Sequence, residues 1–254
     1  SKFWARLGTN YVVSFFNKCD EVWTVNESTA DVLRGYGYNG EIIIMPNGTD
    51  LWYPTDEDRR LIQSEYSLGD GNVFLFVGQH NFKKNTRHII EALEIYAKTH
   101  DDFKMVFIGQ GPDAEKMREL VEEKGLGGKT VFTGHISDRN KLMRFYARAD
   151  LFIFPSLYDS APLVLREAAA AGTPALMIRN SCAAQNGVDG ENCFLCDDTP
   201  ESIALTMEKA LPEAVRVGMN ARNTIPVPWS GIVDMALKRY SNLIEKKNRE
   251  KTEE

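Results

Sequence analysis

Short apolar runs and longer amphipathic runs alternate along most of this chain. Val73–Val77, Lys104–Ile108, Val131–Thr133 and Leu151–Phe154 read as strands, ending at Gly78, Gly109, Gly134 and Pro155. Between them, helix-period segments span Asn85–Lys98, Asp113–Glu123 and Asp138–Ala149, the last with Asp138 as its N-cap. Leu163–Ala171 reads as a short helix stopped by Gly172, Thr173 and Pro174. Ala175–Ile178 and Cys193–Leu195 are further strands, and Pro200–Leu211 a further helix. Runs such as Phe74-Leu75-Phe76-Val77 and Leu151-Phe152-Ile153-Phe154 are apolar on both faces. That predicts a parallel sheet covered by helices, an α/β fold of Rossmann-like type. Ligands of such sheets bind beyond the carboxyl ends of the strands, so the four loops beginning at Gly78, Gly109, Gly134 and Pro155 form the candidate site.

The ends of the chain follow a different pattern. Residues 3–17 carry Phe3, Trp4, Leu7, Tyr11, Val12, Phe15 and Phe16 at helical spacing. A strand at Glu21–Val25, a helix at Glu27–Tyr36 and a strand at Ile42–Met45 follow. Residues 1–45 are expected to be the last part of a preceding domain, with Pro46–Pro54 as linker. Residues 46–228 would form the main domain and 229–254 a returning helix, spanning 229–247, with a tail that frays after Glu245. The stretch opens at Ser1 rather than Met, and we expect it to be a piece of a longer protein.

Bulk properties narrow the function. Of 254 residues, 43% are hydrophobic, and the formal net charge is −6. That charge lacks the basic footprint of a nucleic-acid binder, so no nucleic-acid partner is expected. No run of 18 apolar residues marks a membrane span, and no secretory signal is read. Four cysteines, Cys19, Cys182, Cys193 and Cys196, form no dense framework, which fits a reducing, cytoplasmic setting. Cys193-x2-Cys196 has metal-pair spacing, but no second pair or His cluster completes four ligands. A structural role is favoured, and no metal is expected.

The segment from Pro155 to Pro174 concentrates the chemistry. A buried strand leads into a loop with Asp159, then into a helix whose N-terminal N–H groups and dipole suit a phosphate. Glu167, about one turn into that helix, can accept from both hydroxyls of a vicinal diol such as ribose. The plainer alternatives make Asp159 a helix cap and Glu167 an exposed helix residue. Finding both acids on this loop type favours a ligand. In Val77–Asn85, Lys83 and Lys84 precede a helix, where cations are disfavoured by the dipole, so a phosphate role competes with a solvated helix start. Gly109-Gln110-Gly111-Pro112 is a tight turn that small residues alone explain.

These residues resemble the family 4 retaining glycosyltransferases, which have the GT-B fold. The family's Glu-x7-Glu motif reads Asp159-x7-Glu167 here and continues as Ala168-Ala169-Ala170-Ala171-Gly172-Thr173-Pro174. Cys19–Ser28 resembles the end of the family's N-terminal domain, and Pro46-Asn47-Gly48-Thr49-Asp50 its interdomain crossover. The resemblance runs from about Cys19 to Tyr240 and makes this chain the C-terminal, nucleotide-sugar-binding half. It implies that Glu167 holds ribose, that Asp159 contacts the donor sugar or reaction centre, and that backbone N–H groups from Ala161 to Val164, Leu163 included, bind the diphosphate. Pro162 cannot donate. Lys84 falls on the Lys of the family's Gly-Arg-x4-Lys-Gly loop and would neutralise the leaving diphosphate. Gln79 stands where that loop has Arg and supplies no charge. Asp for Glu at 159 draws the carboxylate in by about 1.5 Å. Gly78 and Gly109 would lie beside the nucleotide. The backbone at His135 and Ile136 would read the base, with His135 as pocket lining rather than a general base.

The implied activity is metal-independent transfer of a sugar from a nucleotide diphosphate sugar, UDP-linked by the family's usage, with retention. No cofactor beyond the donor substrate is expected. A glycan, lipid or small-molecule acceptor would be met through the preceding domain. Two rivals stay open: a noncatalytic nucleotide-binding module, and a peripheral membrane contact through the aromatic face of residues 3–17.

Overall fold

The computed structural model describes residues 2–185 and 187–253, with side chains for 8–185 and 187–252. The chain divides into two compact units, one of residues 1–48 with 227–254 and one of residues 49–226.

The smaller unit contains α1 (Lys2–Phe16), β1 (Val22–Thr24), α2 (Glu27–Gly35) and β2 (Ile42–Ile44), and it ends with α10 (Trp229–Glu253). β1 and β2 pair in parallel. Val22, Leu33 and Tyr38 form a small core on which Val13, Phe16 and Ile42 pack. The expected amphipathic face of residues 3–17 is therefore split. Val13 and Phe16 turn to this core, while Tyr11, Val12 and Phe15 stay exposed. The side chains of Phe3, Trp4 and Leu7 lie outside the described residues. Arg239 of α10 grips the Glu21 carboxylate, with Nε at 3.0 Å, and Tyr240 packs on Trp23 with ring centroids 5.4 Å apart. α10 continues to Glu253, past the expected end at 247 and past Glu245, where fraying was expected. Lys247 bonds Asp20 at 2.8 Å there, a contact that polar tail composition does not disclose.

The larger unit runs α3 (Asp56–Glu65), β3 (Asn72–Val77), α4 (Thr86–Tyr96), β4 (Phe103–Ile108), α5 (Ala114–Glu123), β5 (Thr130–Gly134) and α6 (Arg139–Arg148). It goes on with β6 (Leu151–Phe154), α7 (Leu163–Ala171), β7 (Ala175–Ile178), β8 (Phe194–Cys196), α8 (Pro200–Ala210) and α9 (Ala214–Thr224). Its six strands form one parallel sheet in the order β5-β4-β3-β6-β7-β8. α4, α5 and α8 pack together, as do α3, α6, α7 and α9, giving a helical layer on each face. Phe74, Leu75, Phe76 and the whole of β6 are buried, as their unbroken apolar runs predict.

Two helices were absent from the hydrophobic pattern. α3 buries only Ile62, too thin a stripe to stand out. Its start was nevertheless written in Thr55-x-x-Asp58, which forms a reciprocal capping box. α9 contains Gly218, which argues against a helix. That glycine has a packing reason: a Cβ there would lie 2.0 Å from the carbonyl oxygen of Gly172.

Candidate functional site

The strand order reverses direction between β3 and β6. In open parallel sheets a crevice forms at this switch point, outside the carboxyl ends of the strands. The β3 loop descends into it through Gly78 and Gln79 to a 3-10 turn at Phe82–Lys84. The Asn81 side chain caps that turn, accepting from Lys83 N at 2.9 Å, and Asn85 leaves it in the left-handed conformation, at φ 62°. The β6 loop rises on the other side through Asp159. Lys84 Nζ and the Asp159 carboxylate pair across the gap, joining two loops 75 residues apart. The second oxygen of Asp159, Oδ2, is buried and has no hydrogen-bond partner among the described residues. Asn85 Nδ2 also spans the crevice, donating to the Pro155 carbonyl at 3.3 Å. Asp159 therefore does not cap α7. The N-cap position is Pro162, which offers no side-chain bond. Leu165 N returns to Pro162 O at 3.3 Å. The N–H groups of Leu163 and Val164 precede the first full turn and have no intrahelical acceptor.

Glu167 is not a solvated helix residue either, with its side chain only 12% exposed. Arg139 Nη1 donates to Oε1 at 2.8 Å and the Tyr146 hydroxyl to Oε2 at 3.3 Å. Neither partner was found from sequence. Arg139 stands at the first position of α6, where a helix dipole disfavours a cation, and that is the one signal that marks it.

A second group of expected residues meets in a pocket of about 270 Å³ beside β3, β4 and β5. Gly78, Gln79, Gly109, His135 and Ile136 all line it, and Ile108, Gln110 and Leu142 are additions. Backbone contacts hold these loops in a row. Gly78 N bonds Ile108 O at 3.0 Å, His80 N bonds Gln110 O at 3.0 Å and Gly109 N bonds Gly134 O at 2.9 Å. The loop glycines do more than shape a turn: a Cβ on Gly109 would lie 2.0 Å from the Gly78 carbonyl oxygen. Lys84, Asp159, Ala161, Leu163, Val164 and Glu167 do not line this pocket, so the candidate residues fall into a pocket group and a crevice group.

His80 sits behind the loop, 2% exposed, with its ring edge-on to Phe107 and Phe132. Burial, aided by the Arg118 charge, pushes its imidazole down to about 4, so it is neutral near pH 7. Cys193 and Cys196 are both buried, which pushes each thiol up to about 12 and leaves them inert near neutral pH.

A larger groove of about 620 Å³ lies at the opposite edge of the sheet, by Ala149, Asp150 and Pro174, where β6 and β7 begin. Its cations are already committed. Arg148 bonds Gln63, Asp150, Gly69 and Gly71, and Arg222 bonds the carbonyls of Trp52, Ala170 and Ala171. Converging, under-satisfied groups are found at the switch point instead.

In sequence and in fold the chain is similar to known glycosyltransferases. The family model described as glycosyl transferases group 1 matches residues 58–224. An uncharacterised glycosyltransferase of Methanocaldococcus jannaschii is 32% identical over 158 residues, covering 62% of this chain and 39% of that protein. A GDP-mannose-dependent alpha-(1-6)-phosphatidylinositol dimannoside mannosyltransferase of Mycobacterium tuberculosis is 27% identical over 164 residues, covering 64% and 42%. The chain thus spans about two-fifths of the length of these curated relatives. Among solved structures, HepE of Anabaena in complex with UDP and glucose superposes with a TM-score of 0.80 at 16% identity, over 93% of this chain and 67% of that one. Sucrose-phosphate synthase of Thermosynechococcus elongatus gives 0.77 at 22%, over 94% and 62%. At these identities the structural likeness speaks for the fold, which is that of GT-B glycosyltransferases.

Proposed function

Because the chain belongs to the glycosyl transferases group 1 family, we propose that it is the donor-binding part of a retaining, metal-independent hexosyltransferase acting on a nucleotide diphosphate sugar. The observation that carries this reading is the Lys84–Asp159 pair across the switch-point crevice, next to the N-terminus of α7. The base enters the pocket of about 270 Å³, and the choice of a UDP-sugar follows the usage of the resembling family. HepE, crystallised with UDP and glucose, supports that choice, whereas the GDP-mannose relative supports a purine. Ribose lies against Glu167. The diphosphate meets the N–H groups of Leu163 and Val164 and the Lys84 ammonium, whose three donors can keep Asp159 and still take phosphate oxygens.

Departure of the diphosphate leaves an oxocarbenium-like sugar. Asp159 Oδ2, without a partner among the described residues, then binds a sugar hydroxyl or faces that developing positive charge. The acceptor, a glycan, lipid or small molecule, enters on the same face as the leaving group through a preceding domain. α1, with Tyr11, Val12 and Phe15 exposed, is the surface such a domain would cover. We place the enzyme in the cytoplasm because its four cysteines form no dense framework. A panel of nucleotides and nucleotide sugars, read by thermal shift and by donor hydrolysis, tests the proposal. Stabilisation by UDP and UDP-sugars with slow hydrolysis supports a transferase. Stabilisation without turnover, even in the full-length protein, supports a noncatalytic binding module.

A further inference from the structure

Glu167 is held from two sides, and the sides differ in kind. Arg139 and Tyr146 lie seven residues apart on α6, two turns, so both face α7. Tyr146 is fully buried, with its ring edge-on to Phe152 of β6 at 5.5 Å. Its backbone carbonyl accepts the Thr173 hydroxyl, which pins the same turn to the end of α7. A phenol fixed in this way costs no further ordering when it donates to Glu167 Oε2 at 3.3 Å. Burial, together with the Glu167 charge, raises the phenol well above its usual range, so it stays a donor throughout the neutral range. Arg139 is the opposite. Its side chain is 59% exposed, so although its bond to Oε1 is short, at 2.8 Å, the guanidinium can turn to water when another donor takes that oxygen.

We propose that Tyr146 is a positioning residue for ribose recognition, fixing Glu167 Oε2 from within while Arg139 holds Oε1 until a ribose hydroxyl replaces it. The inference rests on the proposed role of Glu167. It adds that the carboxylate is pre-oriented by the fold, so that ribose meets an acceptor whose rotamer is already set and whose outer oxygen exchanges partners at small cost.

Calorimetric titration with UDP and with its 2′,3′-dideoxy analogue tests this in the wild type, Y146F, R139A, E167A and the double variant Y146F/E167A. The wild type should prefer UDP by about tenfold or more, as expected for hydrogen bonds to a charged group. Y146F should cut that preference at least about threefold, a fraction of the charged-bond effect, and leave the affinity for the dideoxy analogue unchanged. In the E167A background Y146F should change neither affinity, and R139A should keep or widen the preference for UDP. If Y146F weakens both ligands alike, or acts as strongly without Glu167, Tyr146 serves only the fold and the inference is overturned. A loss of preference in R139A as large as that in Y146F contradicts the exchangeable partner. A wild type that does not distinguish the two ligands removes the ribose role of Glu167 itself, and the inference with it.

Discussion

Lys84 and Asp159 form an ion pair that joins the two loops across the crevice. Truncating Lys84 to Ala removes the charge offered to phosphate and leaves a part-buried carboxylate unpaired. We expect UDP to bind about tenfold or more weakly while uridine is little affected, since a charged hydrogen bond contributes roughly 1.5–3 kcal/mol. Equal losses for uridine and UDP would assign Lys84 to folding or to the base pocket. Stability should fall by roughly 1–3 kcal/mol, because the Asp159 carboxylate, 23% exposed, loses its partner. His80 gives a second residue-scale prediction. Its folded value, about 4, lies below the ordinary imidazole value of 6.5, so the unfolded chain binds the proton more tightly. Stability from this group is complete above pH 6.5 and is lost as pH falls toward 4, amounting to about 3 kcal/mol at the limit. Denaturation midpoints measured from pH 7 to 4.5 should fall less steeply in H80L than in the wild type; parallel slopes would refute this. At this scale the sequence singled out residues whose neighbours along the chain carry the signal: Asp159 and Glu167 through the resemblance of their segment to a family motif, Lys84 through its place before a helix. Tyr146 and Arg139 stayed hidden because their meaning comes from α7, which no local pattern brings to them.

Elements were legible where burial on both faces gave long apolar runs. β6, α7 and β7 lie at the expected residues, and Asp138 caps α6, accepting from Asn140 N and Lys141 N. α3 and α9 were passed over because their stability comes from elsewhere. α3 is fixed at its first turn by the Thr55–Asp58 box and tied to α6 by Arg144, 2.9 Å from Asp58. Hydrogen bonds from the Thr55 side chain and backbone, followed by the one from Arg144, hold the Asp58 carboxyl below its usual range. Thr55→Ala should therefore cost about 1 kcal/mol, a usual price for a lost cap. No residue of α3 is among those described at the crevice, so UDP affinity measured on the folded variant should not change. A change in UDP affinity would mean that α3 positions the site.

On the scale of the whole molecule, function follows from strand order. The pattern of elements predicted a covered parallel sheet, and with it the edge at which a ligand binds. The order that sets β3 beside β6 cannot be read from element spacing, and it is this order that brings Lys84 to Asp159. The central claim is that a nucleoside diphosphate occupies this edge and not the larger groove across the sheet. Hydrogen exchange with and without saturating UDP tests it most directly. Slower exchange is predicted in four loops, at 78–84, 109–112, 134–136 and 157–164, with little change elsewhere. Protection confined instead to the groove by Arg59, Arg148 and Arg222 would contradict the account.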